Sequence, residues 1–232
     1  MGVVVRLLGG FALAVDGAAV PVLPGAQRLV ALVALADGPL RRSRAAALLW
    51  PAASPARAAS CLRSTLYRVA RACRDVLSAE GDRLAVNPAV QVDVHLVRTV
   101  AVGATPAPLP LGELLPGWED RWVQEERDRL HHTRLRALER LSAAYRDRGE
   151  HLLALQAADA AVRTDPLRES AHRELIRVHL AGGNHADAMR QYRYCSSLLR
   201  AELGVRPSPD TTALVRALVA EQPVPRGREV IG

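Results

Sequence analysis

Hydrophobic and polar positions in the first part of the chain follow two different periods, and the first is that of β-strands. Short Val- and Leu-rich runs come first, separated by Gly9-Gly10 and Asp16-Gly17. Asp-Gly between apolar runs is a strong hairpin signal, because both residues tolerate a positive φ. The pattern predicts three strands at Val3–Leu8, Phe11–Val15 and Ala19–Leu23.

A helical period then replaces the alternation, and it predicts three helices. The first ends before Asp37-Gly38-Pro39, which is a typical helix stop. The second fits residues 43–50, with Ser43 as the N-cap. The third begins at Ser54-Pro55, an N-cap followed by a proline in the first turn, and continues to about Leu77.

A last pair of short apolar runs completes this domain. Arg83–Val86 and Val90–Val94 alternate around Asn87-Pro88, so we expect a closing hairpin. Three strands, three helices and a hairpin together predict an α+β winged helix-turn-helix with an N-terminal sheet. We place this DNA-binding domain at residues 1–97.

The two sides of the third predicted helix differ in chemistry. The apolar side should face the core, and it holds Ala59, Leu62, Leu66, Val69 and Cys73. The other side and its flank carry cations, hydroxyls and one aromatic ring, namely Arg57, Ser60, Arg63, Ser64, Tyr67, Arg68 and Arg71. A solvated helix usually mixes in acids for i,i+4 pairing, whereas guanidinium and hydroxyl groups read base edges or bind phosphate. We therefore expect this side to lie in a groove of double-stranded DNA.

Charge is distributed unevenly in a way that supports this expectation. Residues 1–100 hold 12 Arg and six acids, and the remainder holds 19 Arg and 18 acids. Between Gly38 and Arg74 there are eight Arg and no acid. Such an excess attracts polyanions, although a solvated basic surface is the alternative. The expected phosphate or wing contacts are Arg41, Arg42, Arg44, Arg74 and Arg83.

The second half of the chain is predicted to be a helical repeat domain. The uncharged stretch Thr99–Gly112 holds three prolines, so we place a linker at residues 98–112. Adding 34 to Ala137, Leu141, Gly149 and Ala154 gives identical residues, and 34 is the period of tetratricopeptide repeats. Helices near Val123–Arg148 and at Pro209–Glu221 should complete an all-α domain at residues 113–222, before a tail at 223–232. Its packing positions are Leu138, Leu141, Tyr145, Ala154, Ala158 and Ala161, and Leu175, Ala188 and Tyr192 in the second copy.

The remaining chemistry-bearing residues indicate neither catalysis nor a cofactor. Three cysteines without a CxxC motif predict buried free thiols in a reducing cytoplasm. His131-His132 has no further ligand at metal spacing and is interpreted as a surface pair. Trp118 and Trp122 are interpreted as an aromatic anchor on a helix, between the domains or onto the repeats, and an aromatic ligand cage is the alternative. No nucleophile–base arrangement is identifiable, and no apolar run reaches the ~18 residues of a membrane helix.

Three segments carry a resemblance to a known family. They are Leu114–Trp122, Asp165–Leu175 with Gly183, and Glu202–Val205 followed by Pro207-Ser208-Pro209. The chain resembles, over residues 3–221, the Streptomyces antibiotic regulatory proteins, in which a winged helix precedes a bacterial transcriptional activator domain. One departure is Arg200, which stands where the closing proline of the second repeat is expected.

The resemblance implies a cytoplasmic activator of secondary-metabolite gene clusters. Such proteins bind direct repeats in promoters, as homodimers or paired monomers, and recruit RNA polymerase. The chain has no GxxxxGK[ST] motif, so the resemblance implies no ATPase activity.

Two other functions stay open at the level of sequence. One is a repeat-type adaptor that binds proteins and attaches to nucleic acid only non-specifically. The other is a regulator that responds to a small molecule bound in the repeat groove.

Overall fold

The computed structural model describes residues 2–103, 107–110 and 112–220. The chain divides into two compact units, Met1–Thr99 with Pro108–Thr133 and Val100–Ala107 with Arg134–Gly232, called here the N-terminal and C-terminal units. The strands are β1 (Val3–Arg6), β2 (Ala12–Val15), β3 (Ala18–Ala19), β4 (Leu40–Arg41), β5 (Leu77–Glu80), β6 (Arg83–Val86) and β7 (Gln91–Val92). The helices are α1 (Pro24–Leu35), α2 (Arg42–Leu49), α3 (Pro55–Ala72), α4 (Asp93–Ala101), α5 (Arg121–Asp147), α6 (His151–Thr164), α7 (Glu169–Ala181), α8 (His185–Leu203) and α9 (Pro209–Ala220).

An N-terminal sheet opens the fold in the order β3-β2-β1-β7. Strands β2 and β3 form a hairpin around Asp16 and Gly17, whose φ values of 49° and 83° are those that the Asp-Gly signal predicts. The third strand was expected at Ala19–Leu23 but covers Ala18–Ala19 only. Pro21 follows it and cannot donate a ladder hydrogen bond, and α1 begins at Pro24.

Helices α1, α2 and α3 form the helical part of the N-terminal unit. Every residue from Leu29 to Leu35 in α1 is buried, and α1 contacts both α2 and α3. Helix α2 starts at Arg42, so its N-cap is Arg41, two positions before the predicted Ser43. Helix α3 ends at Ala72 instead of about Leu77, because the chain becomes extended at Cys73.

A second sheet, in the order β4-β6-β5, forms the wing and is called here the wing sheet. Strands β5 and β6 pair antiparallel around Gly81-Asp82, and the φ of Gly81 is +59°. The expected hairpin between Arg83–Val86 and Val90–Val94 is therefore wrong. Gln91–Val92 pairs in parallel with β1, and Asp93 already begins α4.

Helix α4 covers residues that the sequence assigned to a linker. Residues 98–101 belong to this helix, so α4 extends into the linker predicted at 98–112. The Asp93 carboxylate accepts the backbone N–H groups of Leu7 and Leu8, each at 2.9 Å, which fixes α4 against the end of β1. Residues 104–106 and 111 of the predicted linker, and the predicted tail at 223–232, lie outside the described residues. The domain boundaries at 97 and 113 stay a prediction.

Residues 112–133 pack into the N-terminal unit. Leu114 forms an isolated bridge with Leu8, and the N–H of Leu115 donates to the carbonyl of Leu7 at 2.8 Å. Arg127, in the first half of α5, donates to the carbonyls of Leu114 (2.8 Å) and Leu115 (2.6 Å). Leu115 is fully buried, so this segment contributes to the core of the N-terminal unit.

The two tryptophans of this segment form an aromatic cluster with Phe11. Trp118 stacks on Phe11 at 6.5 Å between ring centroids, and its edge meets Trp122 at 6.3 Å. The anchor interpretation holds in part: the partner of Trp118 is Phe11, the residue before β2, and Trp118 precedes α5 instead of lying on a helix. Asp120, between the two, pairs with Arg28 of α1.

The C-terminal unit contains the helix pairs that the 34-residue period predicts. Helix α6 packs on α7, α7 on α8, and α9 contacts both α7 and α8. Most of the predicted packing positions are buried, and Tyr145 and Tyr192 are half-buried. This confirms the tetratricopeptide-like arrangement, with a last helix at Pro209–Ala220 where Pro209–Glu221 was predicted.

Polar contacts hold these helices in register. Arg146 of α5 pairs with Glu174 of α7, whose side chain is 7% exposed; burial raises the pKa of Glu174 although Arg146 and Arg177 oppose that shift. Burial would also raise the pKa of Glu169, but hydrogen bonds from Ser208 and Thr211 keep it below its ordinary value. These two carboxylates therefore link α5 to α7 and α7 to the start of α9.

Candidate nucleic-acid interface

Helix α3 begins as its sequence predicts and exposes the expected face. The Ser54 hydroxyl accepts the N–H of Arg57 at 3.4 Å, and Pro55 occupies the first turn. The seven residues predicted for base or groove contacts are all exposed, and they are Arg57, Ser60, Arg63, Ser64, Tyr67, Arg68 and Arg71. Tyr67 is 66% exposed, which is unusual for an aromatic ring.

The buried side of α3 is rotated by about one residue from the prediction. Leu62 and Val69 are buried as expected, but Ala58 and Thr65 are buried in place of Ala59 and Leu66. Leu66 is half-buried and lines a depression between α3 and β5. The prediction chose Leu66 for the buried side because leucine is more hydrophobic than threonine. In the structure, contacts with α1 and α2 determine which side of α3 is buried.

The arginines of this region have no acidic partner in the part of the chain that the structure describes. No ion pair or side-chain hydrogen bond involves any of the nine from Arg41 to Arg83, which are Arg41, Arg42, Arg44, Arg57, Arg63, Arg68, Arg71, Arg74 and Arg83. Guanidinium groups without partners keep their exposed donors available for an incoming anion.

Three of these arginines meet around one depression of about 260 Å³. Arg42 comes from the start of α2, Arg63 from the middle of α3, and Arg74 from the turn after α3. Leu66, Val69, Ala70, Leu77 and Ala79 form the apolar floor. The structure thus brings a predicted groove residue together with two predicted phosphate residues.

Arg41 and Arg83 form a second group, across the wing sheet. They occupy directly opposite positions on β4 and β6, and both are exposed. The N–H of Arg42 donates to the carbonyl of Asp82 at 2.7 Å, which ties the start of α2 to the β5–β6 turn. Like charges directly opposite each other destabilise a sheet, and a bound phosphate would relieve this repulsion.

Arg44 lies apart from both groups. Arg42 and Arg44 are two positions apart on α2, about 200° around the helix, so they point to opposite sides. Arg44 lines a different depression with Glu125 and Glu126. Its role as a phosphate contact stays a prediction.

Sequence reasoning missed Ser43 as a member of this surface. Ser43 is exposed in the first turn of α2 and lines a groove with Arg42 and Arg63. Its interpretation as an N-cap had assigned its hydroxyl to the backbone. Nothing in the sequence around Ser43 indicates that it shares a surface with α3.

Other kinds of site find no support in the described residues. They contain no group of three or more His, Cys, Asp or Glu that could hold a metal ion. His131 and His132 stack edge to face at 5.5 Å, and His132 is exposed. Cys73 and Cys195 are buried free thiols as predicted, while Cys61 is half-buried. Among the described helices, none is long and apolar enough to cross a membrane.

Comparisons with known proteins place both parts of the chain. Residues 109–219 match the model of the family described as bacterial transcriptional activator domain. A solved structure, "Mycobacterium tuberculosis EmbR in complex with low affinity phosphopeptide", is similar in fold, with a TM-score of 0.73 and 20% identity. That likeness covers 96% of this chain and 66% of the EmbR chain, so this chain spans less than two thirds of that length. The comparison with curated protein sequences finds no match.

These matches agree with the motifs that carry the family resemblance. Leu114–Trp122 and Asp165–Leu175 both lie within the matched residues. The winged helix in front of them is the part of the fold that the EmbR likeness also covers. Residues 109–219 thus match the bacterial transcriptional activator domain, and the fold in front of them is a winged helix-turn-helix.

Proposed function

We propose that the chain is a sequence-specific, DNA-binding transcriptional activator without catalytic activity or cofactor. Helix α3 enters the major groove of promoter DNA, and its exposed face contacts base edges. Arg41, Arg42, Arg74 and Arg83 bind phosphates on either side. The observation that carries the proposal is the exposed face of α3, which has no acidic residue and whose guanidinium groups have no partner among the residues that the structure describes.

The proposal assigns a further role to each unit. Two copies of the N-terminal unit occupy direct repeats in promoters of a secondary-metabolite gene cluster, as a homodimer or as paired monomers. The C-terminal unit contacts RNA polymerase, since stacked helix pairs commonly offer a surface to proteins. Because bacterial promoters lie in the cytoplasm, the function implies that location.

The test separates base contacts from phosphate contacts. An operator is selected from random duplexes with the purified full chain, and affinities for operator and random DNA are measured at several salt concentrations. Arg68→Ala should reduce discrimination between the two DNAs by about 1–3 kcal/mol. Arg42→Ala should weaken binding to both equally and lower the salt slope by about one.

The matched control is Arg163→Ala. Arg163 is an exposed arginine of the C-terminal unit that pairs with Asp159, so its removal should leave both affinities unchanged. Equal losses on operator and random DNA for Arg68→Ala would exclude Arg68 from base readout. Failure of the selection to enrich any sequence would refute sequence-specific binding.

A further inference from the structure

A groove of about 570 Å³ lies between α2 and α3 in the N-terminal unit. Its volume falls within the roughly 300–1,000 Å³ that is typical of small-molecule sites. Most of its lining is apolar and includes Ala46, Ala47, Trp50, Ala58, Ala59 and Leu62. The exposed face of α3 is therefore next to a concave site of ligand size.

The groove has an apolar end and a cationic end. Trp50 follows the last turn of α2 and Pro55 opens α3, so the apolar end lies at the turn between the two helices. Arg42 is in the first turn of α2 and Arg63 lies more than two turns into α3, so both belong to the other end. Among the described residues, no acidic one lines the groove.

The cationic end has hydrogen-bonding capacity that the protein leaves unused. The Nε of Arg42 is buried and has no hydrogen-bond partner among the residues that the structure describes. Because a ligand in the groove cannot reach a buried atom, the donors available to it are the terminal nitrogens of Arg42, which form no hydrogen bond within the described chain either. Arg63, the other cation of the groove, forms no ion pair within the described chain and is exposed.

We propose that this groove binds a small apolar carboxylate, such as a fused-ring aromatic acid. Its ring system lies against Trp50, Ala47 and Ala59, and its carboxylate accepts hydrogen bonds from Arg42 and Arg63. Arginine suits this role, because its planar fork matches the two oxygens of a carboxylate.

Occupation of the groove has a consequence that rests on the proposed function. Arg42 and Arg63 are also proposed DNA contacts, and a bound carboxylate engages their donors and neutralises their charge. The ligand and DNA therefore compete, and the ligand releases the activator from its promoter.

Binding is tested on the full chain by titration with anthracene-2-carboxylate, using its fluorescence anisotropy. The neutral anthracene-2-carboxamide is the matched probe. Because charge-assisted hydrogen bonds are the strong ones, the carboxylate should bind at least about tenfold more tightly than the amide. Equal affinities for the two probes, or no saturation below about 1 mM, would overturn the site.

Variants locate the bound probe. Arg42→Gln and Arg63→Gln should each weaken the carboxylate about tenfold and leave the amide unchanged. Ala47→Phe should block both probes by filling the groove, and it is expected to fold normally because Ala47 is exposed. Arg71→Gln is the control, an exposed arginine of α3 that does not line the groove. Undiminished carboxylate binding in Arg63→Gln would place the probe elsewhere and refute the proposal.

A second measurement tests the competition with DNA. Saturating carboxylate should weaken operator binding by the wild-type chain at least about tenfold, and it should have no effect on Ala47→Phe. Unchanged operator affinity in the wild type would refute the competition while the proposed DNA-binding function stands. If the ligand-free chain binds no DNA, the proposed function fails, and the probe titrations still decide whether the groove is a site.

Discussion

Arginine serves different purposes in the two units of the molecule. In the N-terminal unit, the arginines of α2, α3 and the β4-β6-β5 sheet have no acidic partners among the described residues, and all but the half-buried Arg42 are exposed. In the C-terminal unit, several arginines connect helices or turns through acids. Arg146 pairs with Glu174, and Arg168 donates to both carboxylate oxygens of Glu139 at 2.8 and 3.4 Å. The chain has no lysine, so one side-chain type supplies both uses.

The difference shows that the partner of an arginine, more than the number of arginines, indicates its role. Paired, partly buried guanidinium groups contribute to packing. Removing one would leave its carboxylate partner buried without a counter-charge, which destabilises the fold. Unpaired ones repel each other in the free protein and lower its stability slightly. The N-terminal unit tolerates this repulsion, which is consistent with a surface that binds a polyanion.

The largest effect on stability is expected when the N-terminal unit is truncated at residue 97. A fragment of residues 1–97 loses Leu114, Leu115, Trp122 and Val123, all buried in the full chain. Each such side chain stabilises by about 1.5–3 kcal/mol, so their loss is comparable to the whole stability of a small domain. Thermal melts followed by circular dichroism should show a cooperative transition for residues 1–133 and none for residues 1–97.

The same two fragments test whether the arginine surface acts alone. Residues 1–133 should retain salt-sensitive DNA binding, because they include every arginine of the proposed interface. A cooperative melt and normal DNA binding by residues 1–97 would show that residues 113–133 merely cover a unit that is complete without them.

A smaller effect is expected within α3, where two leucines four positions apart should behave differently. Leu62 is 3% exposed, so Leu62→Ala should destabilise the N-terminal unit by about 2–5 kcal/mol. Leu66 is half-buried, and Leu66→Ala should cost less than half as much. Denaturant melts of the two variants measure both values. Equal losses would mean that the buried side of α3 is the one predicted from sequence.

The sequence predicted the elements whose signals are local. Ser54-Pro55 marks the start of α3, and Asp16-Gly17 marks a turn, since each acts through its own backbone preferences. The exposed face of α3 could also be predicted, because the absence of acidic residues along it can be read from the helix sequence alone. The 34-residue period likewise predicted the helix pairs of the C-terminal unit.

The elements that sequence missed depend on distant partners. Strand β5 was missed because Leu77–Glu80 carries little strand propensity and is stabilised by pairing with β6. Strand β7 is two residues long and pairs with β1, which lies almost ninety positions away. The segment at 112–133 has no local feature that assigns it to the N-terminal unit instead of the repeats. The meeting of Arg42, Arg63 and Arg74 follows from these placements and could not be predicted earlier.

A third prediction compares one arginine from each unit directly. Arg146→Met leaves the carboxylate of Glu174 buried with less compensation, so the C-terminal unit should lose about 2 kcal/mol, less than a fully buried pair because Arg146 is partly exposed. Arg68→Met should change stability by less than about 0.5 kcal/mol, because Arg68 is exposed and unpaired. Denaturant melts test both variants. A large loss of stability for Arg68→Met would show that the arginines of α3 also serve the fold.

The smallest effect is a difference in reactivity between two cysteines, which reports on the same contrast without mutation. Burial and the charge of Glu169 raise the pKa of Cys195 to about 11, so at pH 8 only about a thousandth of this thiol is ionised. N-ethylmaleimide should therefore modify Cys195 only after unfolding.

Cys61 is half-buried and lies beside Arg57 and Arg68 on α3 at about 100° per residue, so it should react in the native chain. Operator DNA should slow that reaction at least about tenfold if α3 lies in the groove, and high salt, which releases DNA, should restore it. Modification of Cys61 at the same rate in the free chain and in the complex would mean that DNA approaches another surface of the N-terminal unit.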